Sequence, residues 1–271
     1  MADASAQADD VEVKLDIHRP HSARMYDFYL GGTTNFPADR EAAGQALAVF
    51  PFARSAARAN RAFMRRSTRI LARSGIRQFL DVGTGIPTSP NLHEVAQQVA
   101  PDAAVVYADN DPIVLLHAKA LLHGTEQGVT SYVQADVRDP AFLLEAAART
   151  LDFSRPIALS MNALLHFVPD EARQIAEGFK AELPSGSALV ISHLTQDFAP
   201  EETARVIQVY TAAGTPVVAR TRAEFAEFFT GWDLLEPGVA ATPRWNPESD
   251  TDIEPVTDIE ASCYGAVAIR P

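Results

Sequence analysis

Between Gln78 and Thr88 the chain reads Gln-Phe-Leu-Asp-Val-Gly-Thr-Gly-Ile-Pro-Thr, a short apolar run cut off by two closely spaced glycines. An apolar strand, a glycine turn and then a helix bring backbone amides up to a nucleotide-like ligand in open α/β sheets. The pattern continues downstream. A second apolar run, Val105 to Ala108, ends at Asp109, and a third, Thr130 to Ala135, ends at Asp136. A carboxylate at the second place suits a ribose diol, because its oxygens accept two hydroxyl hydrogen bonds together. A carboxylate at the third suits an adenine amino group. Together the three segments imply an adenosine-bearing ligand.

The turn narrows the choice. A dinucleotide loop wants glycines at its first, third and sixth positions. Gly83 and Gly85 fill two of these, but Thr88 holds the third, where close helix packing leaves no room for a side chain. Pro87 and Pro90 delay the helix, with Ser89 suited to its N-cap and Pro90 to its first position. This wider loop favours S-adenosylmethionine over NAD.

From residue 77 onward strand and helix alternate. Strands are expected at 78–82, 104–108, 131–135, 156–161, 188–192, near 233–237 and at 264–269. Repeated βα units predict a mostly parallel sheet with helices on both faces. The last two strands, with no helix expected between them, predict a closing hairpin and one antiparallel strand. Residues 1–17 read as disordered, 18–75 as a helical cap punctuated at Gly31-Gly32 and Pro37, and 76–271 as the ligand-binding domain. The acidic stretch 243–260 reads as an exposed loop. Phe225, Phe228 and Phe229 recur at helical spacing as core. Arg54, Arg58, Arg61, Arg65, Arg66, Arg69 and Arg73 do so as a solvated helix face balancing surplus carboxylates.

Charge and cysteine usage limit the partners. A net charge of −12 over 271 residues opposes a nucleic-acid backbone, which is bound by Lys and Arg, and an anionic membrane surface. No apolar run approaches the roughly 18 residues of a membrane span. Met1 to Asp10 has neither a basic start nor an apolar run, so no secretory leader is expected. The single Cys263 cannot form an internal disulfide, which fits a reducing cytoplasm. No His, Cys or acidic cluster has metal-ligand spacing, so no metal is expected. Ser160 and Ser192 lack the glycine elbow of a serine hydrolase. These features predict a cytoplasmic monomer or homodimer acting on a small molecule.

The order DVGTG, ADND, QADV, a fourth strand and then LPSGSALVIS resembles the class I S-adenosylmethionine-dependent methyltransferases. Three segments, HSARMYDFYLGGTTNFPADR from His21, FLDVGTGIPT, and LDFSRPIALSMNALLHFVPDE, resemble one actinobacterial family long catalogued as a domain of unknown function. The resemblance runs from His18 to Pro271. It implies a Rossmann-like α/β fold with a seven-stranded sheet of order 3-2-1-4-5-7-6, one antiparallel strand and an N-terminal helical cap. It also implies a methyltransferase with S-adenosylmethionine as cofactor. Gly83 and Gly85 would approach the methionine part, with Asp81 and Thr84 among the contacts. Asp109 would take the ribose, Asn110 the flank of the adenine, and Asp136 with the Val137 amide its edge. Pro87 departs from the general class, which often has a third glycine there.

Methyl transfer asks the protein mainly to align donor and acceptor and exclude water, with a base only for an acceptor that must lose a proton. His166 after the fourth strand and His193 at the end of the fifth are the candidate bases. Asn162 is expected to contact the methionine moiety. In the cap, Arg24 suits the methionine carboxylate, Tyr26 or Tyr29 an aromatic shield for the sulfonium, and Asn35 a ligand contact at the turn. Docking of the cap through ordinary ion pairs is the alternative for that segment. Two other functions share much of this pattern: a non-catalytic S-adenosylmethionine sensor and an NAD-dependent oxidoreductase.

Overall fold

The computed structural model describes residues 16–121, 124–247 and 255–271; of the stretch 1–17 where disorder was expected, residues 1–15 lie outside them. Three helices come first: α1 (Ser22–Leu30), α2 (Pro37–Val49) and α3 (Ala53–Arg73). Five parallel strands follow, β1 (Gln78–Val82), β2 (Ala104–Asp109), β3 (Val129–Gln134), β4 (Ala158–Asn162) and β5 (Ala188–Leu194). They are linked by α4 (Leu92–Val99), α5 (Pro112–Leu121), α6 (Pro140–Ala147) and α7 (Ala172–Glu182). Beyond β5 come α8 (Pro200–Ala212), α9 (Arg222–Ala226), β6 (Asp233–Leu234), β7 (Ala240–Ala241), α10 (Asp258–Ala261) and β8 (Cys263–Ile269).

The sheet runs β3-β2-β1-β4-β5-β8-β6, with β8 antiparallel to β5 and β6 antiparallel to β8. This is the expected order 3-2-1-4-5-7-6 with β8 as the seventh strand. The close is more elaborate than a hairpin: the two-residue β7 also pairs with β8, and α10 intervenes. Near 233–237 only two residues pair, and Pro237 has no N–H to extend the ladder.

Strand periodicity sorts the side chains between two cores. Leu80, Val82, Leu159, Met161, Leu189 and Ile191 face α6, α7 and α9, where Phe179, Phe225 and Phe228 cover them. Phe79, Val105, Tyr107, Val190 and Val267 face α3 and α4, under Phe63, Met64, Leu71 and Leu92. By the same alternation Asp81 and Ser192 point toward α3, and His193 points away from it.

Two expectations are corrected here. The described part of the acidic 243–260 stretch buries Trp245 completely, edge-on to Phe63 with ring centres 5.3 Å apart. The Arg row is not a uniformly solvated face. Arg66 is buried, its Nε donating to the Trp245 carbonyl (3.0 Å) and its Nη2 to that of Thr242 (2.6 Å).

Candidate functional site

The carboxyl ends of β1 to β4 open into a cavity of about 440 Å³, roofed by residues 16–26 and the middle of α3. Gly83 and Gly85 shape its floor. Both sit at positive φ, 72° and 69°, and a β-carbon on Gly83 would come within 2.6 Å of the Leu164 side chain. The Gly83 and Thr84 amides donate to the Ala108 carbonyl, carrying the β1–β2 register past the strand end. The Gly85 amide donates to Asp109 Oδ2 (2.8 Å), and the Asp111 amide to Asp109 Oδ1 (3.0 Å). Asp109 therefore holds the loop closed from inside the cavity, and burial raises its carboxyl above the usual range. The following helix starts later than expected: Asn91, not Ser89, is the N-cap, and the Glu94 carboxylate takes the Asn91 amide. Asn110 and Val137 also line the cavity. Asp136 lies at its rim, half-exposed and bound to the Arg138 amide (2.9 Å) and guanidinium.

At the other end, the alternation turns Asp81 toward α3, within the electrostatic reach of Arg61, a relation hidden when Arg61 is read as one of a solvated row. Burial pushes the Asp81 carboxyl up to about 7, against the opposing pull of Arg61 and a hydrogen bond from Thr84. Arg61 reaches into the cavity with Nη2 anchored on the carbonyls of Thr88 and Pro90. Facing them, both amide atoms of Asn162 are buried without a hydrogen-bond partner. Buried polar groups are rarely left so. An acid, a guanidinium and a free amide converge where a zwitterionic amino-acid group would fit, and Asp109 lies where a diol would. The residues present thus suit an adenosyl amino acid.

The cap is tied to this floor by charge. The Arg24 Nε lies 3.1 Å from Asp111 Oδ2 and its Nη1 3.6 Å from Asp39 Oδ2, all three side chains buried. Asp39 also accepts the His21 and Phe36 amides, both at 2.8 Å, so one carboxylate fixes the starts of α1 and α2. Arg24 borders the cavity, with Nε beside Asp111 and with Nη1 beside Asp39 and donating to the Asp16 carbonyl (3.1 Å). Asn35 lies outside the cavity. Its amide donates to Asp27 (2.7 Å) and the Gly32 carbonyl and accepts from Arg40, which fixes the α1–α2 turn.

The three expected catalytic residues are also arranged differently. Tyr26 lines the cavity, but its hydroxyl donates to the Ala57 carbonyl (3.0 Å) and accepts from Asn60 Nδ2 (3.0 Å), and burial pushes it up to about 12. The row continues, because Ser192 Oγ donates to Asn60 Oδ1 (2.5 Å) and accepts the Ala163 amide (2.9 Å). That amide belongs to the turn after Asn162, where Ala163 is held at φ 52° in the left-handed region. His193 is corrected out of the site: it is fully buried on the opposite face, among Phe225 and Phe228. Arginine can only donate, so Arg220 Nη1 at 2.6 Å makes His193 Nε2 an acceptor, and Nδ1 donates to the Leu194 carbonyl. Burial and the neighbouring His166 hold its pKa well below the ordinary value. His166 accepts the Leu194 amide at Nδ1 (3.4 Å), so its proton sits on Nε2. Burial lowers its pKa to about 3. None of the three offers a free basic lone pair near neutral pH. Among the described residues no group of three or more His, Cys, Asp or Glu is placed to hold a metal ion, and no helix is long and apolar enough to cross a membrane.

The model of a family described as S-adenosyl methyltransferase matches residues 8–271. A DUF574-family protein from Streptomyces avermitilis is 48% identical over 94% of this chain and 99% of its own, with a TM-score of 0.91. A candidate methyltransferase from Thermobifida fusca is 36% identical over 94% and 96%, with a TM-score of 0.87. The plantazolicin methyltransferase BpumL, solved with S-adenosylhomocysteine and a triazolic desmethyl analogue, shares the fold at 12% identity (TM-score 0.52, 92% and 95% covered). No curated protein matches the chain.

Proposed function

Because the chain belongs to the S-adenosyl methyltransferase family, with S-adenosylmethionine as methyl donor, we propose that it methylates a small organic acceptor and that the residues of the crevice divide the work of holding the two. The observation that carries this reading is the convergence, in one cavity, of the Asp81 carboxyl, the Arg61 guanidinium, the partnerless Asn162 amide and the Asp109 carboxylate. Asp81 takes the ammonium of the cofactor's amino-acid end, Arg61 its carboxylate, and Asn162 the atoms between. Asp109 takes the ribose diol, while Asn110, Asp136 and Val137 border the adenine. The Tyr26 ring offers an aromatic face to a cation. When bound, S-adenosylmethionine supplies a methyl group on a positively charged sulfonium, an already activated donor. The chain's own contribution is positioning and exclusion of water rather than proton abstraction, since the basic nitrogens of His166 and His193 are occupied by the Leu194 amide and Arg220 and Tyr26 keeps its proton. A reducing cytoplasm suits the single buried thiol, Cys263, and the net charge of −12 suits a small molecule better than a nucleic acid.

Thermal unfolding with S-adenosylmethionine, S-adenosylhomocysteine or NADH tests the reading. A ligand at a hundred times its dissociation constant adds roughly 2.7 kcal/mol, which for a chain of this size raises the midpoint by roughly 5–10 °C. Both adenosyl ligands should do so and NADH should not. A rise with NADH alone would overturn the assignment.

The Asp81 assignment predicts a pH dependence. Only the carboxylate form pairs with an ammonium, and the carboxyl titrates near about 7 in the free protein. Affinity for S-adenosylhomocysteine should therefore climb as pH rises from 5.5 and level off above 7, by up to about tenfold per pH unit on the acid side. Titration calorimetry across that range checks it, and Asp81→Asn should bind weakly with a flat profile. A wild-type profile that is equally flat would remove Asp81 from the ammonium site.

A further inference from the structure

A second cavity of about 120 Å³ adjoins the crevice, enclosed by α1, α2, α3, α8 and the ends of β5 and β8. Tyr26, Asn60, Ala163 and Phe167 line both spaces, so the hydrogen-bonded row from Ala163 to Tyr26 forms part of their common wall. Resting on the methyltransferase reading above, we propose that this chamber is the acceptor pocket, and that the acceptor places in it a single uncharged aromatic ring.

Three observations support the assignment. First, size: an apolar cavity of roughly 150 Å³ holds one benzene molecule, so a chamber of about 120 Å³ is on the scale of a single six-membered ring. Second, shape and surface: Phe167 and Tyr210 stand with ring centres 6.0 Å apart, and Tyr29 bonds Tyr210 hydroxyl to hydroxyl (3.1 Å). Aromatic walls suit a ring laid against their faces or edges. Third, charge: among the described residues no Asp, Glu, Lys or Arg lines the chamber. Its titratable groups are neutral at pH 7, because burial raises Tyr26, Tyr29, Tyr210 and Cys263 and lowers His166. An ion entering it would lose its water and gain no counter-charge. Tyr29, Ala46, Phe50, Val206 and Tyr210 line this chamber without bordering the crevice, so part of its wall is set independently of the adenosyl site.

The test uses the full chain saturated with S-adenosylhomocysteine and two probes, 4-methylphenol and 4-hydroxybenzoate, at pH 7.5 by ligand-observed NMR and calorimetry. The expected result is saturable binding of 4-methylphenol and at least about tenfold weaker binding of the carboxylate, a cost of 1.4 kcal/mol or more. Val206→Trp on α8 and Ala56→Leu on α3 each fill the chamber from a partly exposed side. Each should weaken 4-methylphenol at least tenfold and leave S-adenosylhomocysteine affinity within threefold. The two lie on different helices, so misfolding of one leaves the other to decide. Equal binding of both probes, unchanged binding in the filled variants, or no saturable binding to the loaded wild type would overturn the proposal. Failure of S-adenosylhomocysteine itself to bind the wild type, seen before any phenol is added, would overturn the reading beneath it.

Discussion

Replacing Asp109 with Ala should weaken S-adenosylhomocysteine binding about a hundredfold or more. On the reading proposed above the carboxylate accepts both hydroxyls of a ribose, and hydrogen bonds to a charged group contribute about 1.5–3 kcal/mol each. Part of that is offset, because in the free protein the same oxygens hold the Gly85 and Asp111 amides. A net loss of about 3 kcal/mol corresponds to roughly two powers of ten. The loop would also lose the contact that sets its curvature, so a shift in Gly85 should accompany the loss. Asp109→Asn keeps one acceptor oxygen and should fall between wild type and Ala. Calorimetry on variants with unchanged far-ultraviolet dichroism measures the effect. Affinity within threefold of wild type would move the ribose elsewhere.

A second large effect is expected far from the chemistry. Asp39→Ala should lower stability by about 3–5 kcal/mol, the cost of removing one member of a buried ion pair. The side chain is fully buried, and its loss strands the His21 and Phe36 amides together with one face of the Arg24 guanidinium. At roughly 2–4 °C per kcal/mol for a chain of this length, the midpoint should fall by about 10 °C. Arg24 would keep Asp111, so the floor of the crevice should survive at low temperature and still bind S-adenosylhomocysteine. A midpoint within 2 °C of wild type would mean that water reaches Arg24 and the two amides and replaces what Asp39 supplied.

Legibility divides along a physical line. Gly83, Gly85, Asp109 and Asp136 could be read from the chain because local order, strand then turn then acid, dictates where they sit. The same alternation gave a mostly parallel sheet, while its strand order came from the family resemblance alone. Arg61 could not be separated from Arg58 or Arg65, since helical spacing says that a face exists but not which sheet face it will meet. The signal lay in parity: Asp81 shares a face with Phe79, and α3 covers that face. His193 was misplaced for the same reason. It directly follows Ser192, and that single step carries it to the far side of the sheet, against Phe225 of α9. Trp245 was masked by acidic and proline neighbours, whose composition outweighed a single large apolar side chain.

The Ala163–Ser192–Asn60–Tyr26 row has a thermodynamic consequence. It is one object with two faces, and each face borders a different room. Any rearrangement that an occupant of the crevice imposes on the row is imposed on the chamber as well. Linkage then requires the exchange to be even: if a filled crevice changes affinity in the chamber by some factor, a filled chamber changes affinity in the crevice by the same factor. The order in which two ligands arrive is thus a matter of rates, while the free energy they share is the same by either route.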